Sequence, residues 1–367
     1  MFEEKEGKLT STFISEKSRR SLDSALNVNG SSASHAYSVS TTLQGDKGFV
    51  DVVINVPAVF SIDSELNSEI LRILTGNWFP FLSFYQSGPR FIATGTNDFS
   101  NGRALRFYFK VGQYHRLTFD TLKDVHMYKS TVPIMEGLNF SLLNTSGHVA
   151  ISGTSGNGKS AFLEYLISTV WNSFGNKASI TVVDPKLDLG LYKFSHDTGI
   201  RYISPNSNHS DFFNDVRGVL SEAVDEIHRR QREIILTMKN DFAPYIIAID
   251  EGMAIASGIV KSVDLKEYQS LITQITLMGR SSRVFLWMSA QTFEANTVMN
   301  SSSRDQMAMK VLLSRNPGND ARYLFKDVDI SSIVIPYDSF NKGVGIISTQ
   351  PDNRVVPLLT PKINHLW

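Results

Sequence analysis

Two short stretches of this chain bring together residue types that handle phosphate. The first runs Gly153, Thr154, Ser155, Gly156, Asn157, Gly158, Lys159 and Ser160, with Ala161 opening the apolar run behind it. It fits G-x-x-x-x-G-K-[ST], the phosphate-binding P-loop. Glycines let the backbone turn tightly so that successive N–H groups face phosphate oxygens, and the amino end of a following helix adds partial positive charge. In such a loop Lys159 reaches the outer phosphates of a nucleotide and the Ser160 hydroxyl holds Mg²⁺. The second stretch is Asp250-Glu251, about ninety residues further on and directly after the apolar run Tyr245 to Ile249. At that place Asp250 can hold the water shell of Mg²⁺ and Glu251 can polarise an attacking water.

Three further groups carry weaker signals. Asp184-Pro185-Lys186 closes an apolar, β-branched run and sets a carboxylate and an amine at its carboxyl end, the edge where doubly wound sheets bind ligands. For Asp184 a strand-terminating role is the alternative; Lys186 has no such explanation. Gln291 follows the strand-like run Val284 to Ala290, where it can sense a γ-phosphate or orient water, or simply cap the strand. Arg229, Arg230 and Arg232 lie close together on a long helix pattern, and read equally as a solvated basic face or as a contact to DNA or another subunit.

These residues need a scaffold, and the pattern around them supplies one. An apolar run precedes the loop, and Phe162, Leu163, Tyr165, Leu166 and Ile167 follow it at helical spacing. Ala178 to Val183 reads as a strand buried on both faces. Asp211 to Lys239 reads as a long helix, and Leu265 to Leu277 as another that Gly279 should end. Val284 to Ala290 and Lys310 to Ser314 are strands, and Gly343 to Ile347 with Arg354 to Leu359 form a closing hairpin. Strands alternating with helices predict an α/β fold with a mainly parallel sheet.

Ahead of this region the texture differs. Residues 1–44 are polar and serine-rich, with Lys17, Arg19 and Arg20 and then Asn29 to Ser34, and read as a flexible arm. Residues 45–125 read as a small α+β domain: a strand from Phe49 to Val56, a helix from Ser64 to Leu74, and strands from Arg90 to Thr94 and Ala104 to Val111. It holds no catalytic constellation, because His115 and His126 have no second ligand at metal-binding spacing. Its aromatics, Trp78, Phe79, Phe81 and Tyr85, suit a core or a contact surface. Thr131 to Ile134 and Leu138 to Leu142 are two short strands around the turn Glu136-Gly137.

Composition sets outer bounds. The chain has 367 residues, 42% of them hydrophobic, which is enough for one large or two ordinary cores. Formal net charge is zero, so positive charge for a nucleic acid must be concentrated locally. With no cysteine, disulfides, thiolate metal sites and cysteine nucleophiles are excluded. The charged start is not a signal peptide, and Tyr245 to Val260, the nearest approach to a membrane span, carries Asp250 and Glu251 in its middle. A cytoplasmic protein without membrane insertion of its own is expected.

Taken in order, the motifs over about Thr131 to Leu359 resemble the FtsK/SpoIIIE family of ring-shaped DNA translocases, within the FtsK/HerA group of P-loop ATPases. The residues carrying the resemblance are the P-loop, Asp184-Pro185-Lys186, the Asp225 to Arg230 segment, Ile249-Asp250-Glu251, and Arg280 placed eleven positions before Gln291. The resemblance implies a RecA-like motor domain over 126–367 that hydrolyses ATP with Mg²⁺. It gives Lys159, Ser160, Asp250 and Glu251 their phosphate, metal and water roles, Gln291 a γ-phosphate sensor role, and Arg280 the role of a finger reaching into the neighbouring subunit's site. It further implies a homo-oligomer, a hexameric ring, around double-stranded DNA, with single-stranded DNA as the other track, and hydrolysis stimulated by DNA. The membrane-tethered and winged-helix regions of the large members are not seen. The chain is therefore similar to the compact TcpA-type coupling proteins, which implies work in plasmid or mobile-element transfer, replication or maintenance with a replication or relaxase partner. Alternatives are a viral DNA-packaging ATPase, an ATP-binding assembly switch without translocation, and a small-molecule kinase.

Overall fold

The computed structural model describes residues 9–26, 37–54, 64–85, 91–96, 101–205, 209–294, 297–326, 328, 330–338, 340 and 342–365. The segment Asn29 to Ser34 and the N-terminal Met1 to Glu6 lie outside the described residues. The chain forms two compact units, the first from 1–114 with 327–336 and 354–356, the second from 115–326, 337–353 and 357–367.

The first unit contains α1 (Ser11–Leu26), β1 (Tyr37–Gln44), β2 (Lys47–Ile54), α2 (Ser64–Trp78), β3 (Leu82–Tyr85), β4 (Phe91–Ala93) and β5 (Arg103–Val111). The strands make one antiparallel sheet in the order β1-β2-β5-β3, with β4 also on β5. Alternation along β5 buries Leu105, Phe107 and Phe109 on one face. Against that face lie Ile14 and Leu22 of α1 and Ile70, Leu74 and Trp78 of α2, all at most 1% exposed.

Within the expected polar arm over residues 1–44, the described stretches 9–26 and 37–44 carry a helix and a strand. Ile14, Ser18 and Leu22 recur every four residues, so α1 has a narrow stripe that is fully buried, and the Trp78 indole donates to Ser18 Oγ at 2.9 Å. Serine-rich composition hid this stripe because only three positions per two turns need to be non-polar or small. Trp78 is core, as the commonest reading of the aromatics has it, while Phe81 is 58% exposed.

The second unit carries β6 (Thr118–Thr121), β7 (Thr131–Met135), β8 (Leu138–Ser141), β9 (Val149–Gly153), α3 (Lys159–Phe174), β10 (Ser179–Val183), α4 (Leu189–Thr198), β11 (Arg201–Ile203) and α5 (His209–Thr237). It continues with β12 (Tyr245–Ile249), α6 (Gly252–Gly258), α7 (Ser262–Ser282), β13 (Val284–Ala290), α8 (Ser301–Asp305), β14 (Met309–Leu313), β15 (Val344–Thr349), β16 (Val355–Leu359) and β17 (Lys362–His365). The main sheet has the order β11-β10-β12-β13-β9-β14-β15-β16. Every pair from β11 to β14 is parallel, and β14 pairs with β15 antiparallel. The fold is thus α/β; the parallel character holds in the part that carries the loop and the acid pair and gives way at the edge. Two small sheets, β6 with β17 and β7 with β8, stand apart from it.

Right-handed crossovers put α3 and α4 on one face of this sheet and α5 and α7 on the other. Strands β9, β12 and β13 are buried along nearly their whole length, as sheets covered on both faces are. One expected helix end is corrected. Gly279 lies inside α7, which runs on to Ser282 and stops at Arg283 in the left-handed region, φ 51°. Gly279 is there because a Cβ would collide with the Val284 carbonyl. Among the described residues no helix is long and apolar enough to cross a membrane.

Candidate nucleotide site

The sheet order decides what meets at its carboxyl edge. β9 ends in the glycine-rich loop, β12 ends in Asp250-Glu251, and β13 lies between them with Ser289 and Gln291 at its end. At the root of the loop, Gly153 has φ 151° and a Cβ there would lie 2.6 Å from the Leu313 carbonyl, so only glycine lets β9 leave the sheet beside β14. Gly158, φ 95°, starts α3 without a side-chain cap, which leaves the first backbone N–H groups of that helix for a ligand. Asn157 ties the loop down: its amide donates to Thr154 Oγ1 and to the Leu313 carbonyl, both at 2.8 Å, and its carbonyl accepts from Gly343 N–H at 2.9 Å. Thr154, Ser155, Gly156 and Ala161 are exposed around this turn. A cavity of 250 Å³ adjoins the loop, walled by Asn157, Arg315, Asn316 and Gly343. The wall from β14 and β15 has no motif in the sequence.

Ser160 and Asp250, ninety positions apart in sequence, share a hydrogen bond of 2.9 Å from the hydroxyl to Oδ2. Asp250 Oδ1 accepts from Ser289 Oγ at 2.5 Å, and Ser289 Oγ in turn accepts from the Glu251 N–H at 3.0 Å. Burial raises the Asp250 pKa, against the hydrogen bonds from Ser289 and Ser160 that favour its charge. Glu251, 4% exposed, sits in the left-handed region at φ 52°. Its Oε1 accepts from Gln291 N–H at 3.1 Å, and its Oε2 accepts from Lys186 Nζ at 2.9 Å with Lys159 Nζ 3.8 Å away. Lys159 is 7% exposed, and burial lowers its pKa while Glu251 and Asp250 hold its proton on. Two lysines and two carboxylates therefore converge at one edge, with a hydroxyl beside the acid that would hold a metal.

Asp184 and Lys186 have separate tasks. Asp184 is fully buried and accepts from the Lys186, Leu187 and Asp188 N–H groups at 2.8, 3.1 and 2.6 Å and from the Tyr202 hydroxyl at 2.8 Å. It shapes the turn that delivers Lys186 to Glu251. Asp188 then caps α4 through the Gly190 and Leu191 N–H groups. Ser289 was missed by sequence reasoning, though a serine inside an otherwise apolar strand was the available signal.

Gln291 is anchored by its main chain, which receives Gly153 N–H at 3.3 Å and Ser152 Oγ at 2.9 Å on its carbonyl, while the side chain is exposed beside the loop. Arg280 is not brought to this edge. It lies in the last turn of α7, exposed and without a side-chain partner among the described residues, ahead of the start of β13 and so at the opposite edge. The basic run on α5 is mostly structural. Arg229 pairs with Glu226 and Glu233, and Arg230 is buried between Glu226 and the carbonyls of Ala243 and Ser282.

A glycine-rich loop opening a helix, with an acid pair one strand removed on a parallel sheet, defines the chain as having the P-loop ATPase fold. No protein-family model matches the sequence, and no curated protein matches it either. Among solved structures the chain is similar to the pCW3 conjugation coupling protein TcpA in its monomer form with ATPγS: 13% identity, TM-score 0.53, covering 95% of each chain. It is also similar to EssC (ATPases 2 and 3) from Geobacillus thermodenitrificans, at 13% identity and TM-score 0.50, covering 67% of this chain and 47% of that one. These structural neighbours are ATPases of the FtsK/SpoIIIE type.

Proposed function

We propose that this chain is a DNA-stimulated ATP hydrolase that translocates double-stranded DNA as a ring of identical subunits, in the transfer, replication or maintenance of a plasmid or mobile element. The observation that carries the reading is the division of groups between the two sheet edges. Lys159, Ser160, Asp250 and Glu251 stand at one edge, and Arg280, exposed and without a side-chain partner among the described residues, stands at the other. The loop backbone and Lys159 would hold the phosphates of ATP, and Ser160 with Asp250 would hold Mg²⁺; the donor set fits, because a hydroxyl and a carboxylate already lie within hydrogen-bond reach. Bound ATP and Mg²⁺ supply the phosphoanhydride and its charge neutralisation. Glu251 orients the water, steered by the Gln291 N–H and the Lys186 ammonium on its two oxygens. Gln291 reads the γ-phosphate from its anchored main chain.

The seven residues of β13, at about 3.3 Å each, put Arg280 about 23 Å from the end that bears Gln291, beyond the reach of an arginine side chain. Arg280 therefore completes a site only on another copy, which makes assembly a condition for turnover. The likeness to TcpA along 95% of both chains supports a DNA track.

The test measures ATP turnover with long duplex DNA, single-stranded DNA or no nucleic acid, followed by displacement of a triplex strand from the duplex. Several-fold stimulation by duplex and ATP-dependent displacement are expected, with stimulation falling as salt rises. Turnover indifferent to any nucleic acid would overturn the DNA reading and leave the assembly switch.

A further inference from the structure

We propose that Ser289 is a positioning residue for ATP hydrolysis: its one buried hydroxyl aims Asp250 at the metal and fixes the Glu251 main chain for the attacking water. The assignment rests on reading this edge as an ATP and Mg²⁺ site, and it gives a task there to a residue that would touch neither.

The strand β13 runs Val284-Phe285-Leu286-Trp287-Met288-Ser289-Ala290, buried throughout, and Ser289 is its one polar side chain. Ser289 is 0% exposed. A hydroxyl at such a place is unfavourable unless its proton and a lone pair both find partners. Both do, on two adjacent residues at the end of β12. The proton goes to Asp250 Oδ1 at 2.5 Å, and a lone pair accepts the Glu251 N–H at 3.0 Å. Strand register explains the reach: Ile249 pairs with Met288, so Asp250 and Ser289 are the next residues on their two strands.

For Asp250, the hydroxyl settles which oxygen serves which partner. Oδ1 is taken by Ser289, and Oδ2 meets the Ser160 hydroxyl at 2.9 Å. A carboxylate held on one oxygen presents the other in a fixed direction, which is what outer hydrogen-bond partners contribute at metal sites.

For Glu251, the same hydroxyl supports an uncommon backbone. Glu251 has φ 52° and ψ 59°, a left-handed conformation that costs a non-glycine residue free energy. Close behind it, a Cβ on Gly252 would lie 2.6 Å from Met288 Sδ, so the chain turns tightly over β13. β13 then holds Glu251 twice. Ser289 Oγ accepts its N–H, and the Gln291 N–H donates to its Oε1 at 3.1 Å. Main chain and carboxylate are thereby tied to one strand, which sets the direction in which Glu251 points.

Ser152, at the end of β9, supplies a comparison within the same edge. It is 1% exposed and its hydroxyl donates to the Gln291 carbonyl at 2.9 Å, with neither Asp250 nor Glu251 as a partner. Ser152→Ala and Ser289→Ala each delete one buried, hydrogen-bonded oxygen, so their general effects on packing are alike. They differ in whether the two carboxylate residues lose a contact.

Parent, Ser289→Ala and Ser152→Ala chains are titrated with a fluorescent ATP analogue in EDTA and across a range of Mg²⁺, and ATP turnover is followed with duplex DNA at saturating Mg²⁺. Ser289→Ala should bind the analogue in EDTA as the parent does, because the loop and Lys159 are untouched. It should need about 10- to 100-fold more Mg²⁺ for half-maximal tightening, and at saturating Mg²⁺ show a lower kcat with little change in KM. Ser152→Ala should keep the parental Mg²⁺ requirement. A parental Mg²⁺ requirement or a parental kcat in Ser289→Ala, or an equal rise in Mg²⁺ requirement in Ser152→Ala, overturns the proposal and leaves the nucleotide site standing. A parent that binds no analogue, or binds it without regard to Mg²⁺, overturns the reading of the site as well.

Discussion

If Arg280 serves a neighbour's site, two inactive variants should repair each other. Arg280→Ala keeps the loop, Asp250 and Glu251 intact, while Glu251→Gln keeps Arg280; the first changes an exposed side chain, and in the second glutamine matches the buried glutamate in size. Loss of a finger supplied in trans lowers turnover by about 10³ to 10⁵, so each variant alone should be nearly inert. In a random equal mixture, a site has both groups when an Arg280→Ala copy lends its Glu251 and the adjacent copy is Glu251→Gln. That happens at about one interface in four, so the mixture should recover up to about a quarter of parental turnover, less if neighbouring sites must fire in sequence. The assay follows phosphate release at fixed total protein while the ratio is varied; the optimum should fall near equal amounts. The roughly 23 Å along β13 excludes repair within one chain. Normal activity of Arg280→Ala, or no recovery from mixtures whose copies co-assemble, would refute the reasoning.

Lys159→Ala should abolish turnover and nucleotide binding, because it removes the ammonium that the phosphate loop itself supplies and leaves Lys186 beside Glu251; equilibrium binding of a fluorescent ATP analogue checks it. Asp184→Ala should leave three backbone N–H groups and the Tyr202 hydroxyl unpaired, lowering stability by about 3 kcal/mol and the melting temperature by several degrees; an unchanged melting curve would show the turn to be self-supporting. Glu164 of α3 is 3% exposed, and burial, with the Asp188 charge, raises its pKa from 4.5 to about 7. The native state keeps a proton there that the unfolded chain releases, so this contribution is full below pH 4.5 and is lost as pH rises through about 7. Glu164→Gln should flatten that slope, worth at most about 3 kcal/mol, in denaturant titrations between pH 5 and 8.

Much of this site is local in sequence. Glycine conformations, the helix start at Lys159 and the apolar strand before Asp250 are properties of a few neighbouring residues, so the loop and the acid pair could be read from residue types and spacing. The strand and helix pattern was legible for the same reason, through period-two and period-3.6 burial. Failures fell where the deciding contact was distant. The stripe of α1 is hidden by serines until α2 brings Trp78 against it. Gly279 looked like a helix end, whereas a tertiary approach to the Val284 carbonyl requires it within the helix. The basic run on α5 read equally as a solvated face or a DNA or subunit contact; Arg229 stays exposed beside Glu226 and Glu233, whereas only the distant carbonyls of Ala243 and Ser282 show that Arg230 is buried.

The sequence by itself determined that a phosphate-binding loop precedes an acid pair in an α/β chain. Only the tertiary structure decided how these groups are divided. Inserting β13 between β9 and β12 sets Ser289 where it links Asp250 to Glu251, and the Asp184 turn carries Lys186 to the same carboxylate. Parallel strands have two chemically different edges, and the position of Arg280 before β13 assigns it to the edge away from the loop. Spacing along a chain does not encode which edge a residue occupies; strand direction and order do.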